Sequence, residues 1–370
     1  MLGGNDFRAN DALRPRLPAV PPAERVLVIR LGALGDVVRT RFAFAGIRAL
    51  YPRAQLDWLV EDRASAGLIG LSGLDEAVIV PRKRLRARHP FVALRTVREF
   101  VRELRARSYD LSIDFHGMFR GAFLPYAAGI PMRVGYDRPF AKEGSERLLT
   151  HRLRVGPAHL SRFERNAALV HYLGGEVPYA PAPLVLDDAT LELPDLPEPF
   201  VLIHPGTSPK TSYKRWETEH FAAVARMLRE RAGLTSLVAF GPVPGEQAAA
   251  HEVVAKAGGA AALAPPTGSL VEFLCLLRRA TIFIGCDSGP MHLASLARTP
   301  VVAIFGPTDP IENEPFPGVP SRVVRSDVGC NPCREGCSVR ACMRAVEPEA
   351  VAEAALALLA ALPATARRGI

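Results

Sequence analysis

The chain has 370 residues, with 46 lysine and arginine against 38 aspartate and glutamate residues and a formal net charge of +8. Its 48% of hydrophobic residues excludes a disordered chain, and its length is sufficient for two domains with full cores. No apolar run reaches membrane-spanning length and residues 1–24 lack the apolar core of a secretory signal, so we expect a cytoplasmic protein.

Strands and helices alternate through the first half of the chain. Residues 1–22 are interpreted as a loose N-terminal leader and residues 23–180 as a first domain, in which 137–162 is expected to be irregular. The predicted strands are 25–30, 55–60, 75–80, 109–115 and 132–136, and the predicted helices are 37–51, 63–71, 91–107, one ending near 128, and 163–173. This alternation indicates a doubly wound α/β domain with a parallel sheet.

The alternation resumes after a proline-rich stretch. Residues 181–199 are the predicted linker, 200–346 a second Rossmann-like domain, and 347–370 a C-terminal helix and tail. The predicted strands are 200–204, 237–240, 281–285, 301–305 and 322–325, and the predicted helices are 216–232, 247–257, 270–279, 290–297 and 348–362. Ligands bind at the carboxyl ends of parallel strands, so two such domains facing one another across a cleft suit an enzyme that joins two substrates.

Three polar turns follow strands in the second half, around Thr207, Glu246 and Asp287. Their hydroxyls, the nearby Lys214 and a helix N-terminus suit a diphosphate, and a carboxylate suits ribose hydroxyls. The chain contains neither GxxxxGK[ST] nor GxGxxG after a strand, so NAD chemistry is not favoured. Each turn taken alone is also consistent with an ordinary strand-to-helix connection.

Two features of the first half have alternative interpretations. Asp36 follows Gly35 after the first strand, where an aspartate caps the helix or serves as a general base; the residues alone favour the cap. The run RKRLRAR at 82–88 is a solvated loop or binds an anionic partner. Aromatic residues are not interleaved with these charges, so a membrane surface or an anionic substrate is favoured over nucleic acid.

Motifs along the chain, in this order, resemble those of glycosyltransferase family 9, the lipopolysaccharide heptosyltransferases and their relatives. They are VIRLGALGDVVRT at 28–40, HPGTSPKTSYKRW at 204–216, GCDSGPMHLASLARTPVVAIFGPTDP at 285–310, and a cysteine loop ending in CM at 342–343. The resemblance spans residues 25–351. It implies a GT-B fold with two Rossmann-like domains, the acceptor on the first and the nucleotide sugar on the second. It further implies inverting transfer of a heptose from ADP-heptose to a sugar of the lipopolysaccharide inner core.

The resemblance also implies which residues bind the donor. Lys214 falls on the lysine that contacts the donor phosphates, and it is assigned to catalysis together with Asp36. Glu246 falls near the acidic residue that holds the donor ribose. For His292 the alternative of a histidine buried in its helix is favoured. The full donor-binding set is Thr207, Ser208, Lys214, Glu246, Asp287, Ser288, Gly289, Pro290 and His292.

On the acceptor side, Asp36 falls on the family's catalytic aspartate, which takes the proton of the attacking hydroxyl. Gly35, Arg63 and Arg120 are assigned to acceptor binding. Taken singly, each arginine is better interpreted as a solvated surface residue, but with the run at 82–88 they fit an anionic lipid-linked glycan at the inner membrane surface. Lys214 and the helix N-terminus at 289–291 are expected to stabilise the leaving diphosphate. The chain has no Asp-x-Asp motif to suggest bound Mg²⁺, and no cofactor is expected to be required.

Four cysteines, Cys330, Cys333, Cys337 and Cys342, lie close together in sequence. Their spacing is compatible with a four-thiolate zinc site, but it departs from paired CxxC motifs, and local packing or a redox role is favoured. Cys275 and Cys286 are expected to be buried.

The expected partners are therefore ADP-heptose, an anionic lipid-linked glycan and, through peripheral contact, the cytoplasmic face of the inner membrane, without nucleic acid. Three alternatives stay open: a sugar-nucleotide epimerase of GT-B-like fold, a family 9 transferase using another donor sugar or acceptor, and a non-catalytic nucleotide- or anion-binding protein.

Overall fold

The computed structural model describes residues 15–85, 90–156, 160–177, 184–186, 195–243, 245–333 and 335–362. The chain divides into two compact units, Met1–Val185 and Leu186–Ile370. Residues 1–14 of the predicted leader and most of the predicted linker at 181–199 lie outside the described residues.

A parallel sheet forms the centre of the first unit. Its strands are β1 (Arg25–Ile29), β2 (Gln55–Glu61), β3 (Glu76–Val80), β4 (Leu111–Asp114), β5 (Met132–Tyr136) and β6 (His151–Leu153). The described strands lie in the order β3-β2-β1-β4-β5-β6, and each pairs with its neighbour in parallel. The apolar centre of β1 is fully buried, as expected for a strand covered on both faces.

Helices cover both faces of this sheet. They are α1 (Leu34–Leu50), α2 (Arg82–Leu85), α3 (Pro90–Ala106), α4 (Phe119–Ala128) and α5 (Arg162–Tyr172), with 3₁₀ helices at Asp62–Leu68 and Ser145–Leu148. Helices α1 and α5 pack together, as do α3 and α4. The helix predicted at 63–71 is a 3₁₀ helix, which Gly70 with its φ of +62° follows. The prediction that 137–162 is irregular is wrong at β6, a short, partly exposed edge strand that gives little periodic signal.

The second unit repeats this plan. Its strands are β7 (Phe200–His204), β8 (Thr235–Val238), β9 (Ala261–Leu263), β10 (Ile282–Cys286), β11 (Val301–Phe305) and β12 (Ser321–Arg325). Its helices are α6 (Thr218–Ala232), α7 (Glu246–Lys256), α8 (Leu270–Arg279), α9 (Gly289–Leu296), α10 (Ala341–Arg344) and α11 (Pro348–Ala361), with a 3₁₀ helix at Pro209–Lys214. The sheet order is β12-β11-β10-β7-β8-β9. Strand β9 was not predicted, because three residues carry too weak a pattern.

Both sheets therefore have the same topology, and the predicted pair of Rossmann-like folds is confirmed. In each unit the chain adds strands on one side of its first strand and then crosses to the other side. The switch lies between β1 and β4 in the first unit and between β7 and β10 in the second. Ligands of doubly wound sheets bind outside the carboxyl ends of the strands at such a switch. In the described part of the chain, no helix combines the length and apolarity needed to cross a bilayer.

Candidate functional site

Asp36 lies at the switch point of the first unit, directly after β1. Helix α1 begins at Leu34, so Asp36 is its third residue and the prediction that Asp36 is the N-cap is wrong. The residue before the helix is Ala33, which has no side-chain acceptor, and Asp36 Oδ2 instead reaches back to the Ala33 backbone N–H at 3.4 Å. Gly35, assigned to the acceptor, is the second residue of the same turn.

Three arginines surround the Asp36 carboxylate. Arg30 Nη2 lies 2.5 Å from Oδ2, Arg162 Nη1 lies 3.3 Å from Oδ1, and Arg39 also contacts Oδ1. Burial raises the pKa of Asp36, but the attraction of the three guanidinium groups outweighs it and leaves the pKa well below its ordinary value. The carboxylate is therefore ionised at neutral pH and held in one orientation within a positively charged surrounding.

Two further titratable groups lie at the carboxyl end of β4, beside the Asp36 turn. Asp114 Oδ1 accepts the backbone N–H groups of His116 and Gly117 at 2.7 and 3.2 Å, and burial raises its pKa to about 6. Burial, with the positive charge of Arg30, lowers the pKa of His116 to about 3, so its imidazole is neutral. Arg30 connects the two strand ends, because its Nη1 also donates to the Phe115 carbonyl at 2.6 Å. The sequence analysis did not single out Asp114 or His116, although the polar turn at the end of their strand was a signal that could have indicated them.

The predicted acceptor residues Arg63 and Arg120 contact the same buried carboxylate. Arg63 Nε lies 2.9 Å from Glu61 Oε2, and Arg120 Nη1 lies 2.9 Å from Glu61 Oε1. Arg82 Nε approaches Oε2 at 3.3 Å. The structure thus brings Arg63, Arg120 and Arg82 together at the carboxyl edge of the first sheet. In the basic run at 82–88, residues 86–88 and the side chains of 83 and 84 lie outside the described residues.

In the second unit, the predicted Lys214 and Asp287 form a partly buried ion pair. Lys214 Nζ lies 2.7 Å from Asp287 Oδ2, and Thr308 Oγ1 donates to the same oxygen at 2.7 Å. Asp287 follows β10 and Thr308 follows β11, so both lie at the carboxyl edge of the sheet. Thr308 was not predicted, although it lies in the quoted motif GPTDP.

The turn after Asp287 leads into helix α9. Ser288 is its N-cap residue, and among the described residues its buried Oγ has no hydrogen-bond partner. Apart from its chain neighbours and the nearby backbone of α9, no described protein atom lies within 4 Å of the position that a Cβ on Gly289 would occupy, and Pro290 follows in the first turn. The helix N-terminus therefore adjoins open space that suits an anion. His292 is buried within α9, as the favoured interpretation expected.

Glu246 is buried at the start of α7, between the ends of β7 and β8. Its Oε2 accepts the Gly241 backbone N–H at 2.9 Å, and burial raises its pKa. A Cβ on Gly206 would overlap the Glu246 carboxyl group, so a larger residue at position 206 would displace that carboxylate. Glu246, the predicted ribose ligand, and the loop after β7 that contains Gly206 are therefore neighbours at the carboxyl edge of the second sheet.

Thr207 and Ser208 begin the loop that carries Lys214. Thr207 is buried, and its Oγ1 donates to the Thr211 carbonyl at 3.0 Å, while Arg215 Nη2 donates to the Thr207 carbonyl at 2.9 Å. Ser208 is exposed, with its Oγ 3.0 Å from Thr211 Oγ1. The Thr207 hydroxyl thus shapes this loop, and the Ser208 hydroxyl is accessible.

The cysteine loop packs on the second sheet, with Cys342 and Met343 against Gly306 after β11. Among the described residues no group of three or more His, Cys, Asp or Glu side chains is arranged to hold a metal ion. The loop is held by backbone contacts instead. Cys333 N–H donates to the Pro307 carbonyl at 3.0 Å, and Asn331 Nδ2 donates to the Gly306 carbonyl at 3.0 Å. Among these cysteines, none of which forms a disulfide, Cys330, Cys333 and Cys337 are exposed, and Cys342, Cys275 and Cys286 are buried.

The same loop supports the segment that carries Lys214. Arg340 Nη1 donates to the Arg215 carbonyl at 2.9 Å, and its Nη2 lies 2.8 Å from Glu217. Trp216 Nε1 donates to the Val346 carbonyl at 3.0 Å. These contacts fix the end of the segment and thereby the position from which the Lys214 side chain extends.

Comparisons with known proteins identify the family of the chain. The family model described as glycosyltransferase family 9 (heptosyltransferase) matches residues 97–343. Lipopolysaccharide heptosyltransferase 1 of Pseudomonas aeruginosa is 28% identical over 315 residues, covering 84% of this chain and 86% of that protein. Lipooligosaccharide heptosyltransferase 2 of Campylobacter jejuni is 31% identical over 260 residues, covering 68% of this chain and 75% of that protein.

A solved structure, Escherichia coli heptosyltransferase WaaC with ADP, superimposes with a TM-score of 0.72 at 20% identity, covering 90% of this chain and 99% of that chain. At this identity the likeness concerns the fold, and it confirms the predicted GT-B class. The family model spans well over half of the sequence. The chain therefore belongs to glycosyltransferase family 9, the heptosyltransferase family, and is a glycosyltransferase.

Proposed function

We propose that this enzyme transfers a heptose, with inversion, from ADP-heptose to an inner-core lipopolysaccharide acceptor. The observation that carries the proposal is the pair of polar sets at equivalent switch points. Asp36 lies at that of the first unit, and Lys214 with Asp287 at that of the second. The names of the relatives, lipopolysaccharide and lipooligosaccharide heptosyltransferases, support the sugar and the acceptor, and the ADP in the WaaC structure supports the nucleotide.

On the donor side, Lys214 and the N-terminus of α9 provide positive charge beside open space. Asp287, whose carboxylate also accepts a hydrogen bond from Thr308, holds the ammonium group in place before the donor arrives. In glycosyl transfer the bond from the sugar to the diphosphate breaks, and negative charge grows on the leaving nucleoside diphosphate. Prearranged cationic groups and backbone N–H groups stabilise that charge. Glu246 is proposed to accept hydrogen bonds from the ribose hydroxyls.

On the acceptor side, Asp36 is proposed as the general base. The acceptor hydroxyl attacks the anomeric carbon and its proton passes to the Asp36 carboxylate, with inversion because attack opposes the leaving group. As the new C–O bond forms, the hydroxyl proton becomes strongly acidic. A carboxylate with a low pKa therefore still accepts it, and the three arginines keep that carboxylate ionised and oriented.

A donor and acceptor screen tests the proposal. ADP-heptose, UDP-sugars and GDP-sugars are compared by calorimetry and product assay, with and without a Kdo-bearing lipid A acceptor. We expect ADP-heptose to bind and ADP to be released only when acceptor is present. Tight UDP-sugar binding and turnover without acceptor would instead indicate the epimerase, and turnover with another sugar would revise the donor. Binding of ADP-heptose without turnover would indicate a non-catalytic protein.

We further propose that the enzyme works in the cytoplasm, in peripheral contact with the inner membrane. In the described chain, Phe91, Val92 and Leu94 at the start of α3 are 78%, 47% and 48% exposed, and we call them the α3 tip. Exposed arginines follow on the same helix, among them Arg95. An apolar tip with adjacent cationic groups suits an anionic lipid surface.

The α3 tip lies at the same end of its helix pair as Arg120, one of the predicted acceptor residues. Arg105, near the end of α3, donates to the carbonyls of Ala127 and Ala128 at the end of α4, at 2.9 and 3.4 Å. Since α3 and α4 pack together and their C-terminal ends meet, they run in the same direction. Their N-terminal ends, with the tip on α3 and Arg120 on α4, therefore lie at the same end of the helix pair, and α3 projects further because it has 17 residues against 10 in α4.

Replacing the α3 tip residues by serine is expected to lower co-sedimentation with phosphatidylglycerol vesicles about tenfold or more, since each apolar side chain withdrawn from the interface contributes of order 1 kcal/mol. The control is Val339→Ser, which removes an apolar side chain that is 61% exposed on the second unit. Turnover with a delipidated acceptor should not change. Equal vesicle binding by the tip variant and the wild type would refute the membrane assignment.

A further inference from the structure

Glu61 is a buried carboxylate that the proposed chemistry does not itself use. It ends β2 at the carboxyl edge of the first sheet, and its side chain is 1% exposed. Burying an ionised carboxylate is unfavourable unless cationic partners compensate it. Here the partners arrive from different elements, Arg63 from a 3₁₀ helix, Arg82 from α2 and Arg120 from α4. A single internal anion therefore gathers three arginines at one place.

Positive charge exceeds negative charge among Glu61, Arg63 and Arg120. The two half-exposed arginines share the single Glu61 carboxylate, so these three groups together carry one excess positive charge. Arg63 and Arg120 have side chains that are 52% and 50% exposed, while their contacts with Glu61 each use one nitrogen. A guanidinium carries five N–H donors in a planar fork that matches carboxylate and phosphate oxygens. Both arginines therefore present N–H groups to solvent from fixed positions.

The cluster adjoins the turn that leads to Asp36. The position that a Cβ on Gly32 would occupy is 3.8 Å from Arg63 Nη2 and 4.0 Å from Glu61 Oε2. Gly32 lies between β1 and α1, four residues before Asp36 in the chain. Anionic groups bound by the arginines would thus lie beside the carboxylate proposed to take the acceptor proton.

We propose that Glu61 is a positioning residue that holds Arg63 and Arg120 as a clamp for the acidic groups, carboxylate or phosphate, of the acceptor. Glu61 does not touch the acceptor and acts through the two arginines. An arginine side chain left free in solvent loses considerable rotamer freedom when it binds an anion. Fixing two of them beforehand removes much of that loss from the binding step. The inference rests on the proposed acceptor of this site.

The sign of the effect separates positioning from simple charge. Replacing Glu61 by glutamine removes a negative charge, so electrostatics alone would make an anionic acceptor bind more tightly. Loss of the carboxylate also frees the arginines, so positioning requires weaker binding. A purely structural role would lower the melting temperature and affect donor and acceptor kinetics alike.

The experiment measures initial rates with ADP-heptose and Kdo-bearing lipid A for the wild type, Glu61→Gln, and the control Glu76→Gln. Glu76 also pairs with an arginine, at 2.7 Å, but at the amino end of β3, away from the site. We expect Glu61→Gln to raise the acceptor KM about tenfold, with kcat and the donor KM within about twofold of the wild type, and Glu76→Gln to leave all three unchanged. An unchanged or lowered acceptor KM would overturn the proposal.

Two variants keep the test decisive if Glu61→Gln folds poorly. Arg63→Gln and Arg120→Gln replace half-exposed side chains, and each should raise the acceptor KM, with less than additive effect when combined because the clamp acts as a unit. Fully independent or absent effects would count against the clamp. Failure of the proposed function is distinguishable, because the wild type itself would then show no turnover with these substrates.

Discussion

Replacing Asp36 by asparagine is expected to lower turnover about 10²–10⁴-fold, the usual contribution of a general base, while the donor still binds. Asparagine keeps the size of the side chain but cannot accept the proton of the attacking hydroxyl. The donor contacts proposed for the second unit involve other residues, so the Kd for ADP-heptose should not change. The measurement combines single-turnover rates with calorimetric titration of the donor.

The same substitution leaves Arg30, Arg39 and Arg162 without their shared counter-ion, so stability is measured in parallel. Because the pKa of Asp36 in the folded protein lies below its ordinary value of 3.8, its ion pairs stabilise the fold fully above that pH, and this contribution is lost as the pH falls through the folded pKa. A lowered melting temperature at pH 7 is therefore expected for the variant. The matched control is Asp62→Asn, an exposed carboxylate nearby. Normal turnover by folded Asp36→Asn would eliminate Asp36 as the base.

The pH dependence of kcat/KM gives a second test of this assignment. With its depressed pKa, Asp36 remains ionised throughout the neutral and mildly acidic range, so it contributes no loss of activity as the pH falls from 8 to 5. The pKa of the buried Asp114 is raised to about 6, and its Oδ2 has no hydrogen-bond partner in the described part of the chain. An acid limb near pH 6 that disappears in Asp114→Asn would therefore report Asp114. A limb that only Asp36→Asn alters would contradict the pKa shift.

Replacing Lys214 by methionine is expected to lower kcat about 10²–10³-fold, comparable with the loss of one preorganised group that stabilises transition-state charge. The donor KM should also rise, because the ammonium group attracts the diphosphate before reaction. Methionine retains the aliphatic stem and removes the charge. The control is Lys210→Met, an exposed lysine on the same 3₁₀ helix.

This variant also leaves Asp287 with Thr308 but without its cation, and an unpaired buried carboxylate is destabilising. The double variant Lys214→Met/Asp287→Asn removes both charges and should recover the melting temperature without recovering turnover. Recovery of turnover in the double variant would show that Lys214 serves only to balance Asp287. That outcome would remove Lys214 from the proposed chemistry.

Local sequence patterns determined the fold class and the places where the site is built. The buried strand at Arg25–Ile29 and the one at Ile282–Cys286 are continuous apolar runs, and each is followed by a polar turn and a helix. Such runs predict strands covered on both faces, and parallel strands place their following turns at one edge. The turns that contain Asp36 and Asp287 were located for this reason, whereas the catalytic role of Asp36 came from the resemblance to glycosyltransferase family 9. Short edge strands such as His151–Leu153 were missed, because three residues do not establish a period.

Only the tertiary structure decided which groups meet those residues. Arg162 reaches Asp36 from a helix far along the chain, and Arg120 reaches Glu61 from the other side of the switch point. Which arginines surround which carboxylate depends on the strand order, and no local periodicity encodes a contact between residues so distant in sequence. The low pKa of Asp36 follows from such contacts, since burial alone would have raised it. The sequence thus determined where the charged side chains lie, and the folding of both sheets determined their partners, protonation and proposed roles.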